Sequence, residues 1–228
     1  MKALTRILVA AGLVLAVCRP GLPQDADIGS FVRQTFIEGI PYEEALRFSR
    51  ASIPTLLQML ADDGERRHWA NVIVMLGIIG DDTVVTPMIS FIEGRASGSA
   101  TPESFRAREA GLMALGYLVN RTGNQQALDY LIGGMSPETW DRRGVIGKAP
   151  FHANTVERNR DLSRLAILGL ALSGTAGAER ALRSVQGLPD SQKTRFQIES
   201  RKLLDESLRT HGEIAGRGLI EYYRAKKK

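Results

Sequence analysis

Residues 69–93 read WANVIVMLGIIGDDTVVTPMISFIE, two apolar runs separated by Gly80-Asp81-Asp82. In the first run Trp69, Val72, Ile73, Leu76 and Ile79 recur at intervals of three and four, which is one face of a helix. Val85, Met88, Ile89 and Ile92 do the same in the second. Gly80 supplies a residue able to close the first helix in the left-handed conformation. Asp81 or Asp82 supplies a carboxylate to cap the second. The stretch therefore predicts a helical hairpin. No charge lies between Trp69 and Gly80, so the first helix needs neighbours on more sides than its partner covers.

Those neighbours are found by self-comparison. WANVIVMLGIIG, REAGLMALGYLV and LSRLAILGLALS superimpose on the pairs Leu76-Gly77, Leu115-Gly116 and Leu168-Gly169. Ile73, Leu112 and Leu165 then also coincide, and a second apolar segment follows each unit. An earlier pair, PYEEALRFSR and ASIPTLLQMLAD, precedes them. From Gly77 to Gly116 is 39 residues, and from Gly116 to Gly169 is 53. The first spacing suits a two-helix repeat of about 40 residues; the second implies an insertion. A glycine at one fixed place in each first helix lets the next helix approach closely. Thr101-Pro102-Glu103 and Ser136-Pro137-Glu138 are further helix starts, with a capping hydroxyl and a first-turn proline. No segment alternates apolar and polar residues long enough to predict a strand.

The segments IPTLLQMLAD (53–62) and LGIIGDDTVVTPMISFIEG (76–94) resemble bacterial HEAT-like repeats, of the type also found in phycobilisome-lyase-related proteins. In that pattern an L-G-x-I-G-D turn leads into an A-V-P-x-L-I-x-L-L helix. Ile53-Pro54 and Pro87 resemble its second-helix proline, with Pro87 shifted by one. The resemblance spans roughly residues 41–210, is clearest in the first two units and fades through 112–134 and 164–185. It implies an all-α, right-handed α-solenoid with a concave face, and it brings no catalytic residues with it.

Outside the repeats, the chain start has the layout of an export signal. Lys2 and Arg6 precede an uncharged apolar run, residues 7–17, which Cys18-Arg19-Pro20-Gly21 ends. Eleven residues are too few to span a bilayer core of about 30 Å. Leu15-Ala16-Val17-Cys18 resembles a bacterial lipobox, with Val17 where a smaller residue is usual, so Cys18 is either a lipidation site or is lost on cleavage. Cys18 is the only cysteine, which excludes an intramolecular disulfide. The formal charge is +5; without Lys2 and Arg6 it would be +3, too little to argue for nucleic acid. The expected division is a signal at 1–18, a linker and first helix at 19–40, repeats at 41–210 and a basic C-terminal helix at 211–228. The expected location is the periplasm of a bacterium or its outer membrane, with secretion as the alternative.

No catalytic, cofactor or metal constellation stands out. His68, His152 and His211 are far apart, and Asp62-Asp63 and Asp81-Asp82 read as helix caps. The insertion, residues 136–157, is the distinctive segment. It lacks acids from 142 to 156 and carries Arg142, Arg143 and Lys148 between Trp140 and Phe151. Tryptophan and arginine are enriched at binding hot spots, so these five residues are the candidate contact with a protein partner. The alternative is that Trp140 and Phe151 pin the loop to the repeats. The tail LIEYYRAKKK offers a basic end that complements the helix dipole and could touch anionic membranes. The functional expectation is an exported, non-enzymatic scaffold for protein–protein interaction. A HEAT-like enzyme or chaperone, DNA-glycosylase-like or bilin-lyase-like, is the alternative reading.

Overall fold

The computed structural model describes residues 27–95, 101–145, 147–148 and 152–226. The expected export segment with Cys18, and Phe151 in the insertion, lie outside the described residues. Within them the chain is all-α, and no strand is present.

The described residues begin with two short helices, α1 (Ile28–Val32) and α2 (Tyr42–Ala45), followed by α3 (Ile53–Ala61). The helix predicted for PYEEALRFSR stops at Ala45, where the Arg47 and Phe48 N–H groups bond three residues back to Glu44 and Ala45, and Ser49 then caps the next turn through the Ala51 N–H. The hairpin of residues 69–93 follows as α4 (Trp69–Ile79) and α5 (Val85–Ile92). Asp81 accepts from the Thr83 N–H at 3.0 Å, as a cap should. Gly80 is not left-handed; its φ is −63° and ψ 170°. Glycine is needed there for space, since a Cβ would lie 2.1 Å from the Leu76 carbonyl oxygen. The left-handed caps are Gly123 and Gly174.

Next come α6 (Pro102–Thr122), α7 (Gln125–Gly134), α8 (Pro137–Arg142), α9 (Thr155–Ser173) and α10 (Ala176–Gln186). Thr101 opens α6 with a capping box: its hydroxyl accepts from the Ser104 N–H, and the Ser104 hydroxyl accepts from the Thr101 N–H. The short α11 (Arg195–Glu199) leads into α12 (Arg201–Lys226), which is interrupted at Gly218 with φ 80° and ψ 163°.

Helices α4, α6, α9 and the first part of α12 form one layer, each packed on the next. They run in the same direction, because the contacts advance in step. Gly111 faces Ile73 and Gly77 faces Ala114, and Arg121 then donates to the Ile79 carbonyl. Asn120 in α6 likewise donates to the Ser173 carbonyl in α9, 2.9 Å away. Helices α3, α5, α7 and α10 pack behind this layer.

The aligned glycines make the layer possible. A Cβ on Gly77 would sit 2.3 Å from the Ala114 carbonyl oxygen, one on Gly116 2.2 Å from that of Gly169, and one on Gly169 2.5 Å from that of Leu112. Backbone therefore meets backbone along the row. Ile73, Leu76, Leu112 and Leu115 are fully buried around it. Their counterparts in the third unit, Leu165 and Leu168, are only half-buried. Leu165 turns instead toward an open groove.

Two glycine substitutions should move stability in opposite directions. Gly116→Ala should cost about 1–3 kcal/mol, since neither backbone can step aside without disturbing the row. Gly212 lies in α12 with nothing within 4 Å of an added Cβ. Gly212→Ala should stabilise by about 0.5–1 kcal/mol through helix propensity. Urea unfolding of the two variants beside the parent checks both signs.

Candidate functional site

The insertion is helical at both of its ends. Its first part is α8, and α9 begins at Thr155, capped by the Asn154 side chain, which accepts from the Glu157 N–H. Trp140 is fully buried. Its indole N–H lies 3.1 Å from the Gly134 carbonyl and 2.9 Å from the Ser163 hydroxyl, and its ring stands edge-on to Tyr130. The Arg143 guanidinium lies 3.8 Å from the centre of the Tyr130 ring and 4.7 Å from that of Trp140, and it donates to the Tyr130 carbonyl. Trp140 therefore has no surface to offer a partner, which corrects the expectation for that residue. Being half-buried, Arg143 is occupied with an interior tyrosine.

Arg142 and Lys148 are exposed, donating to the Thr139 hydroxyl and the His152 carbonyl respectively. Buried Arg158 ties the segment to α9, donating to the carbonyls of Val145 and Gly147 at 2.9 and 2.8 Å.

Trp140 has a counterpart. The Trp69 indole N–H donates to the Met59 carbonyl at 2.9 Å, and Arg66 lies 5.6 Å from the centre of its ring. In both places a tryptophan satisfies a carbonyl in the last turn of a second-layer helix, α3 or α7, with an arginine beside it. Such carbonyls have no partner within their own helix. The insertion thus contains a repeated structural device.

The open feature lies elsewhere, on the outer face of the first layer. Helices α6 and α9 bound a groove of about 490 Å³. Ala110, Met113 and Leu165 form its apolar floor, and Arg106, Glu109, Asp161 and Arg164 form its rim. Glu109 sits one helical turn from Met113 and is half-buried. Among the described residues its carboxylate forms no ion pair and accepts no hydrogen bond from a side chain. Burial, reinforced by the Asp161 carboxylate and opposed by Arg106, pushes Glu109 up to about 7. Asp161 is partnered: it accepts from Arg164 and lies 3.0 Å from His152 Nε2. A second recess of about 290 Å³ adjoins it, bounded by His152, Glu157, Arg160, Asp161 and Arg164.

Chemically, the groove offers apolar contact and one carboxylate that exchanges its proton near neutrality. A cation held closer to it than Arg106 would favour the ionised form, which burial and the Asp161 carboxylate otherwise oppose. Among the described residues no three His, Cys, Asp or Glu side chains are grouped to hold a metal ion, and no helix is long and apolar enough to cross a membrane. Glu109 escaped the repeat reading because that reading follows the residues the units share. Aligned by glycine, the equivalent positions are Ala70 and Leu162. A carboxylate where two other units carry apolar residues is the signal that could have found it. Compared with known proteins, the chain matches no family model, no curated protein and no solved structure.

Trp140→Ala should cost about 3–5 kcal/mol of stability, the loss typical of a buried aromatic. Arg142→Ala and Lys148→Ala should each stay within about 0.5 kcal/mol. Thermal melts of the three variants separate the interior residue from the exposed ones.

Glu109 predicts a pH dependence. Its ordinary value is 4.5, and folding raises it to about 7. Between those values the folded chain binds more protons than the unfolded chain, so this residue's contribution to stability is lost as pH rises from about 4.5 to about 7. The side chain is partly open to water, so the change should be about 1 kcal/mol rather than the full equivalent of the shift. Melting the parent and Glu109→Gln across that range should show the slope in the parent and a flatter curve in the variant.

Proposed function

We propose that the chain is an exported, non-enzymatic helical-repeat scaffold that holds a protein partner along the outer face of its first helix layer. The groove between α6 and α9 carries this reading: an open apolar floor edged by a half-buried carboxylate that forms no ion pair among the described residues. The layer beneath is held by backbone contact at the glycine row, so the face is presented with little freedom to rearrange. A rigid, pre-formed face limits the ordering cost of binding. The resemblance to HEAT-like repeats supports the scaffold role and a right-handed solenoid. Lys2, Arg6 and the apolar run 7–17 support export, to the periplasm or to the outer membrane if Cys18 is lipidated. Burial of Trp140 moves the contact away from the insertion.

Placing a photocrosslinking amino acid at Arg106, and separately at Arg142, tests the reading in cells that produce the full chain. An adduct with another protein at position 106, lost on Ala110→Arg without a fall in melting temperature, is the expected result. Adducts at 142 alone would return the contact to the insertion and sink the groove. Intact mass of the native protein should show about 18 residues missing from its start, as expected for a signal segment of that length; retention of Met1 would refute export.

A further inference from the structure

The apolar stripe of the groove does not end at Met113. The same face of α6 continues to Tyr117, and that of α9 from Leu165 to Leu172. There it is covered by the last described segment of the chain, residues 219–226. Leu219 is buried with Leu172 and Ile214, and Met113, Tyr117, Tyr42, Tyr222 and Tyr223 pack against them. The Tyr223 ring stacks on Tyr42 with centres 5.4 Å apart, and its hydroxyl meets that of Tyr117. Arg224 closes the arrangement with a two-pronged contact to Glu43, Nε to Oε1 and Nη2 to Oε2, each at 3.1 Å. These partners are 181 residues apart in the chain.

The segment is joined to the rest of α12 at one point. Gly218 breaks the helix with φ 80° in a place where an added Cβ would meet nothing within 4 Å. That backbone conformation is open to glycine at little cost. A space of about 430 Å³ lies beside it, between Tyr42, Asn120, Arg217 and the segment. The strap is therefore anchored at its tip by aromatic rings and one ion pair, and hinged beside an open space.

We propose that the outer face is a docking seat for a helical segment of a partner bearing an apolar residue, aromatic residues and a following arginine or lysine, and that the strap 219–226 occupies the far end of this seat until such a segment displaces it. The strap displays the chemistry the seat accepts: leucine on the floor, Tyr223 against Tyr42 and Tyr117 with Tyr222 edge-on to it, and a guanidinium on an acid. Glu109 offers a second acid on the uncovered part of the same stripe, and Met113 belongs to both parts. The proposal rests on the outer-face reading above and identifies the partner's class.

The test uses the full chain and a fluorescein-labelled peptide of residues 219–226. In wild type the tethered strap competes at high effective concentration, so the peptide should bind weakly. Tyr223→Ala with Arg224→Glu loosens the strap and leaves the seat intact; anisotropy should show the peptide binding this variant at least about tenfold more tightly, the size of one lost charge-assisted contact. A chain carrying Cys18→Ser, Glu44→Cys and Ala225→Cys, closed by a bis-maleimide, keeps Glu43 and Arg224 and should not bind it. A peptide with Arg224→Glu should fail on all three. Equal binding to all chains, or none to a strap variant that melts like wild type, overturns the proposal.

Hydrogen exchange on wild type guards against a variant that does not fold. Amides of 219–226 should open while 201–217 stay protected; equal protection of both parts overturns the hinge. Sedimentation of wild type as a dimer that the bis-maleimide closure abolishes would assign the seat to a second copy and overturn the partner class. An adduct at Arg106 with no strap opening would leave the scaffold reading standing and remove this proposal alone, whereas loss of the adduct removes both.

Discussion

Gly77 lies against the backbone of Ala114, and Gly116 against that of Gly169, so closely that no side chain fits between the helices. The remaining packing follows from that approach. With α4, α6 and α9 in backbone contact, the large side chains must fill the spaces above and below the row, and Ile73, Leu76, Leu112 and Leu115 do so without exposure. Second-layer helices cover what remains on one side. On the other, the helices present a shallow surface whose side chains stand near one another because the axes are close. The influence of Asp161 on Glu109 is one consequence, carried between two helices across the groove.

The second layer is fastened by a different device. Trp69 and Trp140 each donate an indole N–H to a carbonyl in the last turn of α3 or α7, and each has an arginine beside it. The last turn of a helix carries partial negative charge and unpaired acceptors. A tryptophan with an adjacent arginine meets both needs while filling the junction with apolar ring. The insertion before α9 is held this way and by Arg158, so Trp140 and Val145 enter the interior while Arg142 and Lys148 stay exposed. Losing Trp140 would remove the donor to the Gly134 carbonyl, which costs more than the hydrogen bond itself contributes, whereas the Met59 carbonyl would keep the Asp62 N–H.

The helical class and the glycine register were legible because they repeat. A Leu-Gly pair recurring with an apolar residue before it needs no tertiary information to be noticed, and the structure places those glycines at the closest contacts. The insertion was not legible, since tryptophan beside arginine describes an interface and a buried junction equally well. Nothing local in PETWDRR says which way the indole faces. Its acceptors, Gly134 and Ser163, come from two other helices. Gly80 was assigned a left-handed turn, but the crowding comes from Leu76 and Val84 rather than from the backbone angle. The tail read as a helix end with a basic finish, because the partners that define the strap, Tyr42 and Glu43, lie at the opposite end of the described chain.

A stack of helix pairs ordinarily has two unrelated ends, each touching only its neighbour. Here the strap joins α12 to α2 across the outer face, so the first and last units share contacts. Whatever occupies that face in place of the strap must also release this closure, and occupancy and the stability of the ends are linked by mass action. Protonation enters at one part of the surface and not the other. Burial raises Tyr117 and Tyr223 above the ordinary tyrosine range, so their contact stays neutral throughout physiological pH. Glu109 titrates near 7. A change of pH near neutrality therefore alters the charge of the open groove while the aromatic grip of the strap is untouched, and the two ends of one apolar stripe respond to different influences.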